Sequence, residues 1–328
     1  MKRLPFILLA VVAVLPWVIG GRYVLHVSTM IAIMTMLALG MNLMLQIGQL
    51  SMAHGAFMGI GAYASALLTM RLGLSPALAL PLSAIFCALL AAALGPVFLR
   101  IKGVHFVLLT YAFGQIVNLV FQEWTSLFGG NGGLHGIPKL SAFGYRLTDP
   151  ALIYGVALFF AVGSFLLVRA VLRSDIGALM KSLEADEPLS RSLGIDALSW
   201  RIAVFVLTAA MAGVAGSLYA HIIGFLSPAP FGFGLSVDLV VMNVIGGAAS
   251  AWGPLLGAML IVPLPELLRG AKEYQLLCYG VVLIVFLLFF RDGLVGMIEK
   301  LTSPRARKGP RKSGETQAAV QVREGGGT

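Results

Sequence analysis

The chain is a succession of long apolar stretches separated by short polar ones. A membrane-spanning helix needs about 20 mostly apolar residues. On that measure the sequence predicts spans at roughly 4–20, 24–46, 53–70, 76–99, 103–123, 151–172 and 201–223. A Gly- and Pro-broken stretch, 237–269, follows, then a last span near 274–290. Residues 237–249 and 254–269 are each short for a full crossing and read as two short helices broken at SAWGP, 250–254. Broken helices at membrane depth are tolerated only where protein or a water-filled cavity satisfies the backbone. This stretch is therefore a candidate path wall, with one kinked helix as the alternative. The predicted fold class is an all-α polytopic membrane protein with about 8–10 transmembrane helices, short broken ones included.

Composition agrees. Of 328 residues, 59% are hydrophobic and 11% charged, with a mean hydropathy of +0.92. A soluble domain carries roughly 25% charge. Cys87 and Cys278 both sit in apolar runs and give no disulfide or metal framework. The N-terminus could pass for a signal peptide, but Pro16 and Trp17 are unlike a small-residue cleavage site, so a retained first span is expected.

Lys and Arg set the orientation. With Lys2 and Arg3 inside and the spans alternating, the loop of Arg100 and Lys102, the loop 173–201 and the tail all fall inside. Residues 1–3, 100–102, 169–201 and 291–328 hold 17 of the 23 Lys and Arg residues. The loops 124–150 and 224–236 fall outside. Residues 1–300 thus form one transmembrane domain of a cytoplasmic membrane, with both termini cytoplasmic. The basic, Gly-rich stretch 301–328 is expected to be a disordered tail.

The loop 173–201, RSDIGALMKSLEADEPLSRSLGIDALSWR, is long for a connector. Pro188 suits a first helical position, Asp186 and Glu187 suit the positive end of a helix, and Gly194 suits a left-handed stop. A short helix at about 188–193 is predicted, gripped by something outside the membrane. A solvated connector is the alternative.

Polar residues within the spans recur at helical spacing. Thr35, Asn42, Gln46 and Gln49 form one set; Tyr111, Gln115, Asn118 and Gln122 form another. Asn243 lies in the broken stretch. Amides suit a path for a zwitterionic solute, and they equally suit hydrogen bonds between helices. His54 is read as a packing residue. Gly55 and Gly59, Ala212 and Gly216, and Gly253 and Gly257 have the spacing that lets helix backbones approach.

No GxxxxGK[ST] occurs, so the chain does not itself hydrolyse ATP. No span carries a central acid–base pair, and no Ser/His/Asp set or HExxH appears, so the chain is not read as an enzyme. A stand-alone secondary transporter or channel is the alternative to an ATP-driven system, and a membrane scaffold is a third reading.

Several stretches resemble one family. They are the loop 173–201 with ALGMNLMLQIGQLSMAHGAFMGIGAYASALL (38–68), GGNGGLHGIPKL (129–140), WRIAVFVLTAAMAGVAGSLYAH (200–221) and VMNVIGGAASAWGPLLGA (241–258). Together they resemble the branched-chain amino-acid (Liv-type) permeases of ABC importers, the M-type subunit in particular, over about 30–292. The resemblance implies a permease forming part of a translocation path for branched-chain amino acids or a related small polar solute. It implies two ABC ATPase subunits, a second permease, a solute-binding protein and the lipid bilayer as partners, and no nucleic acid. ATP and Mg would be bound by the ATPases, leaving no cofactor in this chain. Glu184, Asp186, Glu187, Arg191 and Gly194 would form the ATPase-coupling loop, and 129–138 would face the binding protein. Arg191 departs from the pattern, standing where the family tends to have an acid. The candidate path residues are Asn42, Gln46, Gln49, Gln115, Asn118 and Asn243.

Overall fold

A computed structural model describes residues 14–18, 20–142, 145–192, 194–268, 274, 277, 280, 281, 284 and 293–302. The predicted spans 4–20 and 274–290 lie mostly outside the described residues, as does the predicted tail 301–328, of which only 301–302 are described, as the end of a helix.

The architecture is all-α. Among the described residues, the helices of six residues or more are α1 (Arg22–Leu45), α2 (His54–Arg71), α3 (Pro76–Phe98), α4 (Val104–Glu123), α5 (Pro150–Arg173), α6 (Asp175–Ala185), α7 (Glu187–Ser192), α8 (Ala197–Ile223), α9 (Phe233–Gly246), α10 (Trp252–Ile261) and α11 (Gly293–Thr302). Among the described residues, α1, α3, α4, α5 and α8 are long and apolar enough to cross a membrane. Helix α2 is 18 residues long, but His54, Arg71 and its three glycines dilute its apolar character.

Helices α1 and α8 form the centre. Their most apolar windows are 61% buried, against 22% for α4. Helix α8 packs on α1, α2 and α3, and α5 packs mainly on α1. Glycine sets the closest approaches. A Cβ at Gly216 would lie 2.0 Å from the Met58 carbonyl oxygen, so α2 and α8 touch backbone to backbone.

Helices α9 and α10 form an antiparallel hairpin of 14 and 10 residues against α1. Met242 meets Gly257, and Gly246 meets Gly253. The two short helices appear as the sequence predicts, but the break falls at 247–251 rather than at 250–254. Gly247, at φ 107°, ends α9, whereas Pro254 sits in the first turn of α10, where its missing N–H is tolerated. Helix α9 also begins at Phe233, one turn before the predicted 237.

Four two-residue strands cluster at one end of the bundle. Strand β1 (Leu134–His135) pairs antiparallel with β4 (Phe225–Leu226), and β2 (Ser141–Ala142) with β3 (Tyr145–Arg146). The β1–β4 ladder joins the loops 124–150 and 224–232.

Candidate functional site: the polar loop and the exposed face of α4

At the other end of the bundle, α6 and α7 fill the polar loop. Asp186 ends α6 and caps α7, its carboxylate accepting from the Leu189 N–H at 3.0 Å. Gly194 follows α7 at φ 83°, and Ile195 N–H reaches back to the Ser190 carbonyl at 3.2 Å. This is the left-handed stop the sequence predicts. Asp196 caps α8 through the Leu198 N–H.

A single helical turn sorts the loop's side chains. Ser190 is buried and Glu187 turns inward, its side chain 10% exposed. Asp186, Pro188 and Leu189 face outward, and Leu189 is 59% exposed. Glu184 is exposed beside Gly48, the turn that follows α1. Arg191 lies within α7.

Glu187 Oε2 accepts from Lys102 Nζ at 2.6 Å and Arg201 Nη2 at 2.7 Å. Lys102 stands just before α4 and Arg201 in the first turns of α8, so one carboxylate joins three elements. Burial pushes the Glu187 pKa up, but the hydrogen bonds from Lys102 and Arg201 outweigh it and hold the carboxyl at about 2. The sequence reading placed Glu187 among the coupling residues without its partners. Arg201 was the available signal: a cation at the mouth of an apolar span needs a counter-ion.

The two polar stripes separate. Asn42 Nδ2 donates to Asn243 Oδ1 at 3.1 Å and to the Ala248 carbonyl at 2.8 Å. Gln46 donates to that same carbonyl at 2.6 Å, and Asn243 Nδ2 donates to the Ala38 carbonyl at 3.0 Å. Asn42, Gln46 and Asn243 are all buried within the chain, where they hold the α9–α10 turn against α1. Gln49 is buried too, but it lies beyond the end of α1, after the turn at Gly48, and so does not continue the helical stripe.

The second stripe lies on the open side of α4. Gln115 is exposed, as is Tyr111, whose ring meets Phe233 edge-on at 4.9 Å. Asn118 Nδ2 donates to the Pro228 carbonyl at 2.9 Å, while its oxygen accepts from Gln122. Ser236 ties the first turn of α9 to α2, donating to the Met52 carbonyl at 2.8 Å and accepting from the Gly55 N–H at 3.2 Å. An exposed amide on a spanning helix needs water or another protein beside it.

The strand end has its own polar node. His221 Nδ1 donates to the Pro138 carbonyl at 2.7 Å, so its Nε2 accepts from Ser65 Oγ at 2.8 Å, and Ser65 contacts Ser217 at 2.7 Å. The sequence reading did not single these residues out. His54 is buried, with Nδ1 3.3 Å from the Ser51 carbonyl, which fits packing.

The family described as the permease component of branched-chain amino acid transport systems matches residues 23–289. The high-affinity branched-chain amino acid transport system permease protein LivM of Salmonella typhimurium is 31% identical over 93% of this chain and 79% of the relative. LivM of Escherichia coli K12 is 31% identical over 90% of this chain and 75% of the relative. The autoinducer 2 import system permease protein LsrC of an Enterobacter species is 27% identical over 70% of this chain and 65% of the relative. No solved structure matches. With its broken helices, its structured loop and a family match across nearly every described helix, the chain belongs to the permease components of branched-chain amino acid transport systems.

Proposed function

We propose that this chain is one permease subunit of a binding-protein-dependent ABC importer in the cytoplasmic membrane, with both termini cytoplasmic. It builds half of a path for branched-chain amino acids or a related small polar solute. A second permease covers the open face of α4, a solute-binding protein docks on the strand end, and one of two ABC ATPases docks on α7. ATP and Mg belong to those ATPases. The observation that carries this reading is the exposed stripe of Tyr111 and Gln115 beside Phe233. Two aromatic rings and an amide suit a solute that pairs an apolar side chain with polar ends, and that must bind weakly enough to leave. The path residues of this reading are Gln115 and Asn118, while Asn42, Gln46 and Asn243 serve as structural amides.

The test is a detergent pull-down of the tagged chain, read by mass spectrometry, comparing wild type with a deletion of 184–196. ATPase subunits that co-purify with wild type and vanish with the deletion support the reading. Transport without any ATPase partner would favour a stand-alone secondary transporter or channel.

A further inference from the structure

Helix α7 has two chemically distinct sides. Leu189 and Pro188 face outward, where a partner can reach them. On the inward side, Glu187 bridges Lys102 and Arg201. Lys102 leads into α4, which carries Tyr111 and Gln115 two to three turns further on. Arg201 lies in α8, the helix that α1, α2 and α3 pack against.

We propose that Glu187 is a positioning residue that passes force from α7 to the path wall, by locking α7 to α4 through Lys102 and to α8 through Arg201. This rests on the reading that an ATPase docks on α7. A partner that grips Leu189 moves a six-residue helix, and such a helix has little packing of its own. Without a fixed link, α7 would move alone. The carboxylate supplies the link because it accepts from both cations with the same oxygen, so neither helix can shift relative to α7 without stretching a charge-assisted hydrogen bond. Arg201 is nearly buried, at 5% side-chain exposure, so its contact with Glu187 is little screened. Lys102 is 51% exposed and contributes the weaker arm.

The experiment uses the whole complex of this chain with its second permease, ATPases and binding protein, reconstituted in liposomes with leucine as the probe. The readout is the number of ATP molecules hydrolysed per leucine imported, a ratio that a smaller folded fraction does not move. Glu187→Gln is expected to raise it about tenfold, the size of a typical coupling free energy between sites, with the ATPases still co-purifying. Lys102→Gln is expected to raise it less, and to add nothing on the Glu187→Gln background, because the two residues act as one unit. Lys102 is half-exposed, so that arm survives even if Arg201→Gln does not fold. A wild-type ratio in Glu187→Gln, additive effects of the two substitutions, or loss of the ATPases from Glu187→Gln would each overturn the proposal. If ATPases fail to co-purify even with wild type, the docking reading fails and takes the proposal with it.

Discussion

Asn42 and Asn243 stand 201 positions apart and join their side-chain amides at 3.1 Å inside the protein. Asn42 also holds the Ala248 carbonyl, so it pins both α9 and the turn that follows it. Asn42→Ala leaves Asn243 Oδ1 buried without its donor. An orphaned buried acceptor costs about 1–3 kcal/mol, and hydrogen bonds within membranes average roughly 0.6. We expect a loss of about 1 kcal/mol in unfolding experiments in detergent, with the KM for uptake unchanged. A shifted KM at unaltered stability would return Asn42 to the path.

Gln115 should behave in the opposite way. Its side chain is exposed and holds no helix in place. We expect Gln115→Trp to block uptake while thermal stability stays within about 0.5 kcal/mol, as for surface substitutions generally. A Cys at the same position should react with a small charged thiol reagent at a rate that depends on nucleotide. A constant rate would place Gln115 against lipid or a static interface.

Gly194 adopts φ 83° with nothing within 4 Å of where a Cβ would sit. The cost of Gly194→Val is therefore backbone strain rather than collision, about 1–2 kcal/mol. We expect the chain to fold and insert, α7 to lose its stop, and ATP hydrolysis to uncouple from uptake. Gly194→Asn, which tolerates the left-handed conformation, should retain most of the coupling. Equal transport by the Val variant and wild type would count against α7 as a docking element.

The Glu187 carboxyl has its folded pKa depressed from 4.5 to about 2. A depressed acid contributes stability above its unfolded pKa and loses it as pH falls through the folded value. The order of residues 174–196 should therefore be constant from neutral pH down to about 5, then fade toward pH 2. Hydrogen exchange across this loop checks it. In Glu187→Gln the acid-induced loss should be smaller, and an unchanged acid profile would assign the loss to other carboxyls.

Much of the scaffold is legible in the sequence because bilayer thickness fixes span length. The predicted 24–46, 76–99 and 103–123 lie within two residues of α1, α3 and α4. The turn chemistry of Pro188 and Gly194 placed the short loop helix to within one residue. Periodicity was a weaker guide to the candidate site. It shows that Asn42 and Gln46 share a face, but not that Ala248 waits opposite it. It continued through Gln49 because it does not see Gly48 turn the chain at φ 69°. The Glu187 triad was hidden for another reason. Its members come from three separate elements, and no local pattern records which charges meet.

Helix α8 is 27 residues long, about 40 Å of continuous helix. That is close to the thickness of a bilayer with its headgroups. Arg201 anchors one end to the polar loop, and His221 anchors the other to the strand-end loop through Pro138. A stiff rod tied at both ends has no private end. If binding at one aqueous face shifts this rod, binding at the other works against it, and linkage makes that dependence symmetric. If nucleotide on one side alters how tightly a loaded binding protein is held on the other, the loaded binding protein must alter nucleotide affinity by the same factor.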